Sequence, residues 1–200
     1  MSSNIGVMGH PIGHTKSPIF QQAGLNELGI DETFEAWDVL PEDLEAKVAT
    51  FREKGFIAAC VTLPHKQAVI PMVDELTEAA ESVGAVNWIF NRDGKLIGHN
   101  TDCNGFLRAL KEKAGFDPKG ADAVVFGAGG AARAIVYALK TAGVNRLTIA
   151  NRTVEKAQAL ANDFSEGRFK PTATGMSRDE LSNYVPYANL LVNTTSLGMA

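Results

Sequence analysis

The stretch CVTLPHK (60–66) ends an apolar run with Thr62 and sets Lys66 just beyond a proline, and GHNTD (98–102) ends in Asp102. A lysine working with a carboxylate can move a proton on or off an oxygen as a carbonyl becomes an alcohol. A surface ion pair is the plain alternative for any such couple. Asn87 in GAVN (84–87), together with Asn100 and Thr101, adds amides and a hydroxyl. All of these fall at expected strand ends and turns, where α/β proteins bind small polar ligands. GHPIGHTKSP (9–18) contributes two more hydroxyls, Thr15 and Ser17, at the start of a helix. Hydroxyls there, with the free N–H groups of the helix, suit a carboxylate. Taken alone, Ser17 as an ordinary helix cap is the plainer reading.

A second set of residues points to a nucleotide. AVVFGAGGAARAIVYAL (123–139) places Gly127, Gly129 and Ala132 in the spacing G-x-G-x-x-A, after an expected strand and before an expected helix. Gly127 permits a tight turn, Gly129 lets the backbone approach a pyrophosphate, and Ala132 keeps the helix close to the sheet. The next strand end selects the dinucleotide. A carboxylate there would grip the ribose hydroxyls of NAD, but the chain reads Asn151, Arg152, Thr153, with Lys156 one helical turn on. Arg152 can pair with a 2′-phosphate and stack on adenine, so NADP is the cofactor these residues suit. A plain helix start with Thr153 as N-cap is the alternative.

The rest of the chain must position these groups. Its 200 residues are 45% hydrophobic, enough for one large core or two modest ones. Short apolar runs alternate with amphipathic stretches, which predicts α/β architecture with mostly parallel strands. Strands are expected at 4–9, 34–39, 56–63, 86–90 and 95–98, the last two flanking a turn at Asp93-Gly94. Helices are expected at 17–28, from 41 to before 55, and at 104–114. After a linker-like stretch at 115–122 the pattern resets, with strands at 123–126, 146–150 and 188–193 and helices at 131–141, 154–163 and 179–184. Two α/β domains follow: a substrate domain with a mixed, mostly parallel sheet over 1–117, the helix 104–114 as connector, and a Rossmann-type domain over 118–200. Fewer strands follow residue 120 than the about six of a complete dinucleotide-binding sheet, so this domain is expected to be incomplete at its C-terminus.

The bulk properties narrow the class. A net charge of −4 argues against nucleic-acid and anionic-membrane partners. No apolar stretch is long enough to span a bilayer, and the first residues lack the pattern of a signal peptide. Two cysteines are too few for a disulfide framework and point to a reducing cytoplasm. Cys60-x4-His65 and His99-x3-Cys103 do not have the spacings of common structural zinc sites, so no metal is expected. His10 and His14 are read as shaping the loop around Thr15.

HTKSP, VTLPHK, GAVN, GHNTDCNGF, GAGGAARA, NRT and VNTTSLGM, in this order from residue 5 to residue 199, resemble the shikimate dehydrogenase family. The resemblance implies an NADP-dependent enzyme that interconverts 3-dehydroshikimate and shikimate in aromatic amino-acid (chorismate) biosynthesis, as a monomer or a homodimer. Thr15 and Ser17 would bind the substrate carboxylate. Thr62, Asn87 and Asp102 would hold ring hydroxyls, with Lys66 and Asp102 as the catalytic pair. The loop Gly127, Ala128, Gly129, Gly130, Ala131 would cradle the pyrophosphate. Asn151, Arg152 and Thr153, with Lys156, would hold the 2′-phosphate, and Thr195, Ser196 and Met199 would lie near the nicotinamide. A quinate/shikimate dehydrogenase of broader specificity and a noncatalytic NADP- or shikimate-binding protein are the rival readings. Three departures stand out: Thr15 replaces the usual serine, Cys60 replaces the usual asparagine, and family members continue well past residue 200.

Overall fold

In β1 (Ile5–Gly9) every residue is buried, as a strand flanked on both sides and covered on both faces requires. The computed structural model describes residues 4–198. After β1 come α1 (Ser17–Glu27), β2 (Phe34–Asp38), a 3₁₀ turn (Pro41–Asp43) running into α2 (Leu44–Thr50), and β3 (Ala58–Val61). Next come β4 (Glu75–Leu76), α3 (Glu78–Val83) and the hairpin of β5 (Trp88–Arg92) and β6 (Lys95–His99). Asp93 and Gly94 both take positive φ at the hairpin turn (54° and 88°), the mirror-image turn that suits the twist of paired strands.

These strands form a sheet in the order β2-β1-β3-β5-β6-β4, with β5 antiparallel to its neighbours and the other pairings parallel. Side chains alternate across β1: Ile5 and Val7 join Ile12, Leu25 and Phe34 on one face, and Met8 joins Leu44, Val48, Phe51 and Ile89 on the other.

The second unit contains α4 (Asp102–Glu112), β7 (Asp122–Phe126), α5 (Gly130–Ala142), β8 (Arg146–Ala150), α6 (Val154–Phe164), β9 (Thr172–Thr174), α7 (Arg178–Leu181) and β10 (Leu190–Asn193). Its sheet has the order β10-β7-β8-β9 with every pairing parallel, the arrangement of a dinucleotide-binding half. The core joins Val125 and Ile149 of the sheet to Ile135, Val136 and Leu139 of α5 and Leu160 and Phe164 of α6.

The two compact units divide between Thr101 and Asp102, earlier than the expected boundary at 117/118. The reason is α4. Rather than serving as a connector belonging to the first domain, it belongs to the second unit, where Phe106 packs on the α5–α6 core. Other adjustments are local. The helix expected from residue 41 is split by the 3₁₀ turn, and the one expected at 179–184 is shorter, opening at Arg178 behind a Ser177/Glu180 capping box. β4, α3 and β9 have no counterpart among the expected elements.

Candidate functional site

Strand direction gathers the first group of residues. Because β5 runs against the other strands, its first residues lie at the edge where β1, β2, β3 and β6 end. The chain therefore leaves toward Thr15 and Ser17, toward Thr62 and Lys66, and toward Thr101 from one edge, and enters β5 there through Asn87. This is the edge on which α/β sheets bind ligands. Gly9 makes the crowding possible: a Cβ on it would lie 2.8 Å from the Leu63 carbonyl and 3.0 Å from the Ile12 side chain.

Each segment is fixed by short polar bonds. The Thr62 N–H donates to the Met8 carbonyl (2.9 Å), and the Val86 N–H donates to the Lys66 carbonyl (2.7 Å). Asn87 closes a two-way amide clasp: its Nδ2 donates to Thr101 Oγ1 (2.9 Å) and its Oδ1 accepts from the Thr101 N–H (2.9 Å). Asn87 thus fixes the residue next to Asp102, a positioning role that its expected contact with a ring hydroxyl did not suggest. Asn100, 1% exposed, donates to the Ala85 carbonyl at 2.9 Å. Lys66 and Asp102 are half-buried, and Asp102 opens α4, where the helix dipole favours its negative charge. Burial pushes the thiol of neighbouring Cys103 above its ordinary pKa, the Asp102 charge adding to it, so this cysteine is held as an unreactive thiol.

The N-cap expectation for Ser17 is corrected. Lys16 occupies the cap position of α1, without a side-chain bond, and Ser17 is the first helical residue. Thr15 Oγ1 accepts the Ser17 N–H (3.3 Å) and lies 3.2 Å from Ser17 Oγ. The two hydroxyls stand side by side at the start of the helix, where an anion can be held.

The second group lies at the carboxyl edge of the second sheet. Gly127 has φ 112°, and a Cβ there would run into the Thr194 hydroxyl, which itself donates to the Phe126 carbonyl (2.7 Å). Its N–H reaches the Ala150 carbonyl (2.8 Å), which turns the loop over the end of β8. Gly129 differs, because nothing lies within 4 Å of where its Cβ would be. It stands at the N-cap of α5 with no side-chain cap, and Gly130, Ala131 and Ala132 follow with first-turn N–H groups that lack helical partners. Ala132 is fully buried against the sheet.

At the end of β8, the Asn151 Nδ2 donates to the Thr153 carbonyl (2.8 Å) and curls the segment so that Arg152 is exposed. Thr153 is the N-cap of α6, but its hydroxyl makes no cap bond. Neither Arg152 nor Lys156 pairs with a carboxylate among the described residues, leaving two cations beside a polar hook. A loop with room for a phosphate at Gly129, an uncapped helix start and two unpaired cations fit a phosphorylated dinucleotide. Thr195 is held by Asn193, whose Oδ1 accepts from both its N–H (3.0 Å) and its hydroxyl (2.7 Å), while Ser196 is exposed. Met199 lies outside the described residues.

Residues 7–89 match the shikimate dehydrogenase substrate binding domain, and residues 109–197 match the shikimate / quinate 5-dehydrogenase model. The shikimate dehydrogenase (NADP(+)) of Methanopyrus kandleri is 44% identical over 196 residues, 98% of this chain and 68% of that protein. The chain belongs to the shikimate dehydrogenase family. The Moorella thermoacetica enzyme of the same name is 45% identical over 98% of this chain and 66% of its own length, so the chain spans about two thirds of these relatives. Among solved structures, shikimate dehydrogenase of Aquifex aeolicus superposes with a TM-score of 0.87 at 34% identity, covering 98% of this chain and 70% of that one. The Thermus thermophilus enzyme, in complex with NADP(H) and shikimate, gives 0.81 at 36% identity, with coverages of 97% and 69%. Thr15, Ser17, Thr62, Lys66 and Asn87 lie inside the first matched segment and the glycine loop and Asn151 to Thr153 inside the second, while Asp102 falls between the two. No helix among the described residues is long and apolar enough to cross a membrane.

Proposed function

We propose that this chain performs the NADP-dependent interconversion of 3-dehydroshikimate and shikimate in aromatic amino-acid biosynthesis. The observation that carries this reading is the single sheet edge where Thr15, Ser17, Thr62, Lys66 and Asn87 emerge, inside the segment that matches the substrate binding domain. Thr15 and Ser17 hold the carboxylate, and Thr62, Asn87 and Asp102 hold ring hydroxyls. Gly127 to Ala131 hold the pyrophosphate, and Asn151, Arg152, Thr153 and Lys156 the 2′-phosphate. Thr195 and Ser196 border the nicotinamide. When bound, NADPH supplies the hydride. Lys66 Nζ stabilises the negative charge that develops on the substrate oxygen and delivers its proton, while Asp102 orients both the lysine and the substrate hydroxyl. The small number of cysteines fits a reducing cytoplasm.

The test is Lys66→Met in the full-length protein, which keeps the chain length of the side chain and removes its charge. NADP-linked oxidation of shikimate, followed by NADPH absorbance, should lose about a hundredfold or more in kcat. Shikimate affinity by calorimetry should change far less, because the lost interaction belongs to the transition state. Near-native turnover in this variant would remove Lys66 from the chemistry.

A further inference from the structure

We infer that His65 is a positioning residue for Lys66: its ring tethers the loop that carries the lysine to the end of β2, and through that tether it sets turnover. The inference rests on the assignment of Lys66 above. His65 is 1% exposed, and its Nε2 lies 2.7 Å from the Val39 carbonyl. A carbonyl only accepts, so Nε2 carries the hydrogen and the ring donates.

The position of that bond gives it its effect. In the sheet, β1 separates β2 from β3. The Val39 N–H bonds to the Gly9 carbonyl (3.0 Å), and the His10 N–H bonds to the Leu63 carbonyl (2.9 Å). The imidazole completes the set by reaching from the β3 exit loop to the end of β2, so three strand ends are locked together. The side chain missing at Gly9 leaves room for the β3 exit beside β1.

Residues 63–69 form turns rather than helix or strand, so no repetitive ladder holds Lys66. The turn is held by separate bonds instead: the His65 N–H to the Thr62 carbonyl (2.9 Å), the Val69 N–H to the His65 carbonyl (3.1 Å), and the Val86 N–H to the Lys66 carbonyl (2.7 Å). Removing the ring donor leaves the residue before Lys66 with its local turn bonds alone and leaves a buried carbonyl at Val39 without that partner. A reacting group displaced by about 1 Å can lose on the order of a hundredfold in rate.

Two substitutions and one background test this in the full-length protein. His65→Leu, which fills the space without a donor, should lower kcat by about tenfold or more while leaving the NADP dissociation constant unchanged. His65→Gln keeps a donor on a long side chain and should recover part of the loss. In a Lys66→Met background, His65→Leu should cost little further turnover, because a residue that acts through the lysine has nothing left to place. Folding of each variant is followed by thermal melting, and rates are taken below the melt. Should His65→Leu not fold, His65→Gln carries the same background test. A kcat within twofold of the parent in a folded His65→Leu, or equal fold-losses with and without Lys66, would overturn the inference. A Lys66→Met enzyme that is still active would instead overturn the functional reading, so the two failures are distinct.

Discussion

A hydroxyl that caps its own helix has spent its lone pair on a backbone N–H, and such a residue explains helix stability better than ligand binding. From spacing alone that was the plain reading of Ser17. The structure moves Ser17 one position into α1 and gives its N–H to Thr15 Oγ1, so the role of each hydroxyl changes. Replacing Thr15 and Ser17 together by alanine should raise KM for shikimate by about tenfold or more, since a carboxylate loses two charge-assisted hydrogen bonds. NADP affinity should stay unchanged, and the melting temperature should move little. A large loss of thermal stability with KM intact would return both residues to the role of a cap. Lys66, Asp102 and Arg152 stand out in the sequence as candidates because the chemistry proposed for them is carried by residue type. The clasp of Asn87 on Thr101 was not, since pairing across a turn between two strands depends on register, which the sequence does not print.

The glycine loop between β7 and α5 shows how one element holds two glycines for different reasons. Gly127 is required by the fold: its φ is 112° and the Thr194 hydroxyl occupies the direction of a side chain. Gly129 has ordinary φ and open space around it, so only a ligand would notice a methyl group there. Gly127→Ala should therefore destabilise the second unit by about 1–3 kcal/mol, read by thermal or urea unfolding. Gly129→Ala should melt as the parent does yet bind NADP more weakly, read by titration of the cofactor. Equal unfolding losses in both variants would show that Gly129 is also there for the fold. The loop itself was readable from its strand–loop–helix context, whereas β9 was not. Thr172–Thr174 is a three-residue strand with one buried side chain, and it is paired on one side only, so its pattern carries almost no hydrophobic signal. The omission of α3 has a different cause. Its signals were present, with Thr77 accepting the Ala80 N–H at its start and Gly84 at φ 66° at its end, but the helix is only six residues long.

Across the whole chain, each unit carries an arginine–aspartate pair that closes a sheet from the side away from its ligand edge, and acid should act on both. In the first unit Arg52 donates to Asp74 and to the Met72 and Gly94 carbonyls, and Asp74 also accepts the Leu96 N–H. In the second, Asp122 accepts from Arg146 and Asn145. The hydrogen bond from Arg52 holds the Asp74 carboxyl below the ordinary aspartate value of 3.8, with the Leu96 N–H adding to it, and the bond from Arg146 does the same for Asp122. A carboxyl whose pKa is depressed by folding contributes stability that is fully present above its unfolded value. That contribution is lost as pH falls through the folded one. The window of loss therefore opens near 3.8 and extends downward. These pairs are solvent-exposed, so each contributes modestly and is weakened by salt. Arg52→Met and Arg146→Met should each lower the melting temperature at neutral pH, and the curves of variant and parent should converge as the pH drops below that window. Melting curves measured against pH at low and high salt check this. An offset that stays constant down to strongly acidic pH would assign the loss to the packing of the arginine stems against the strand ends rather than to charge.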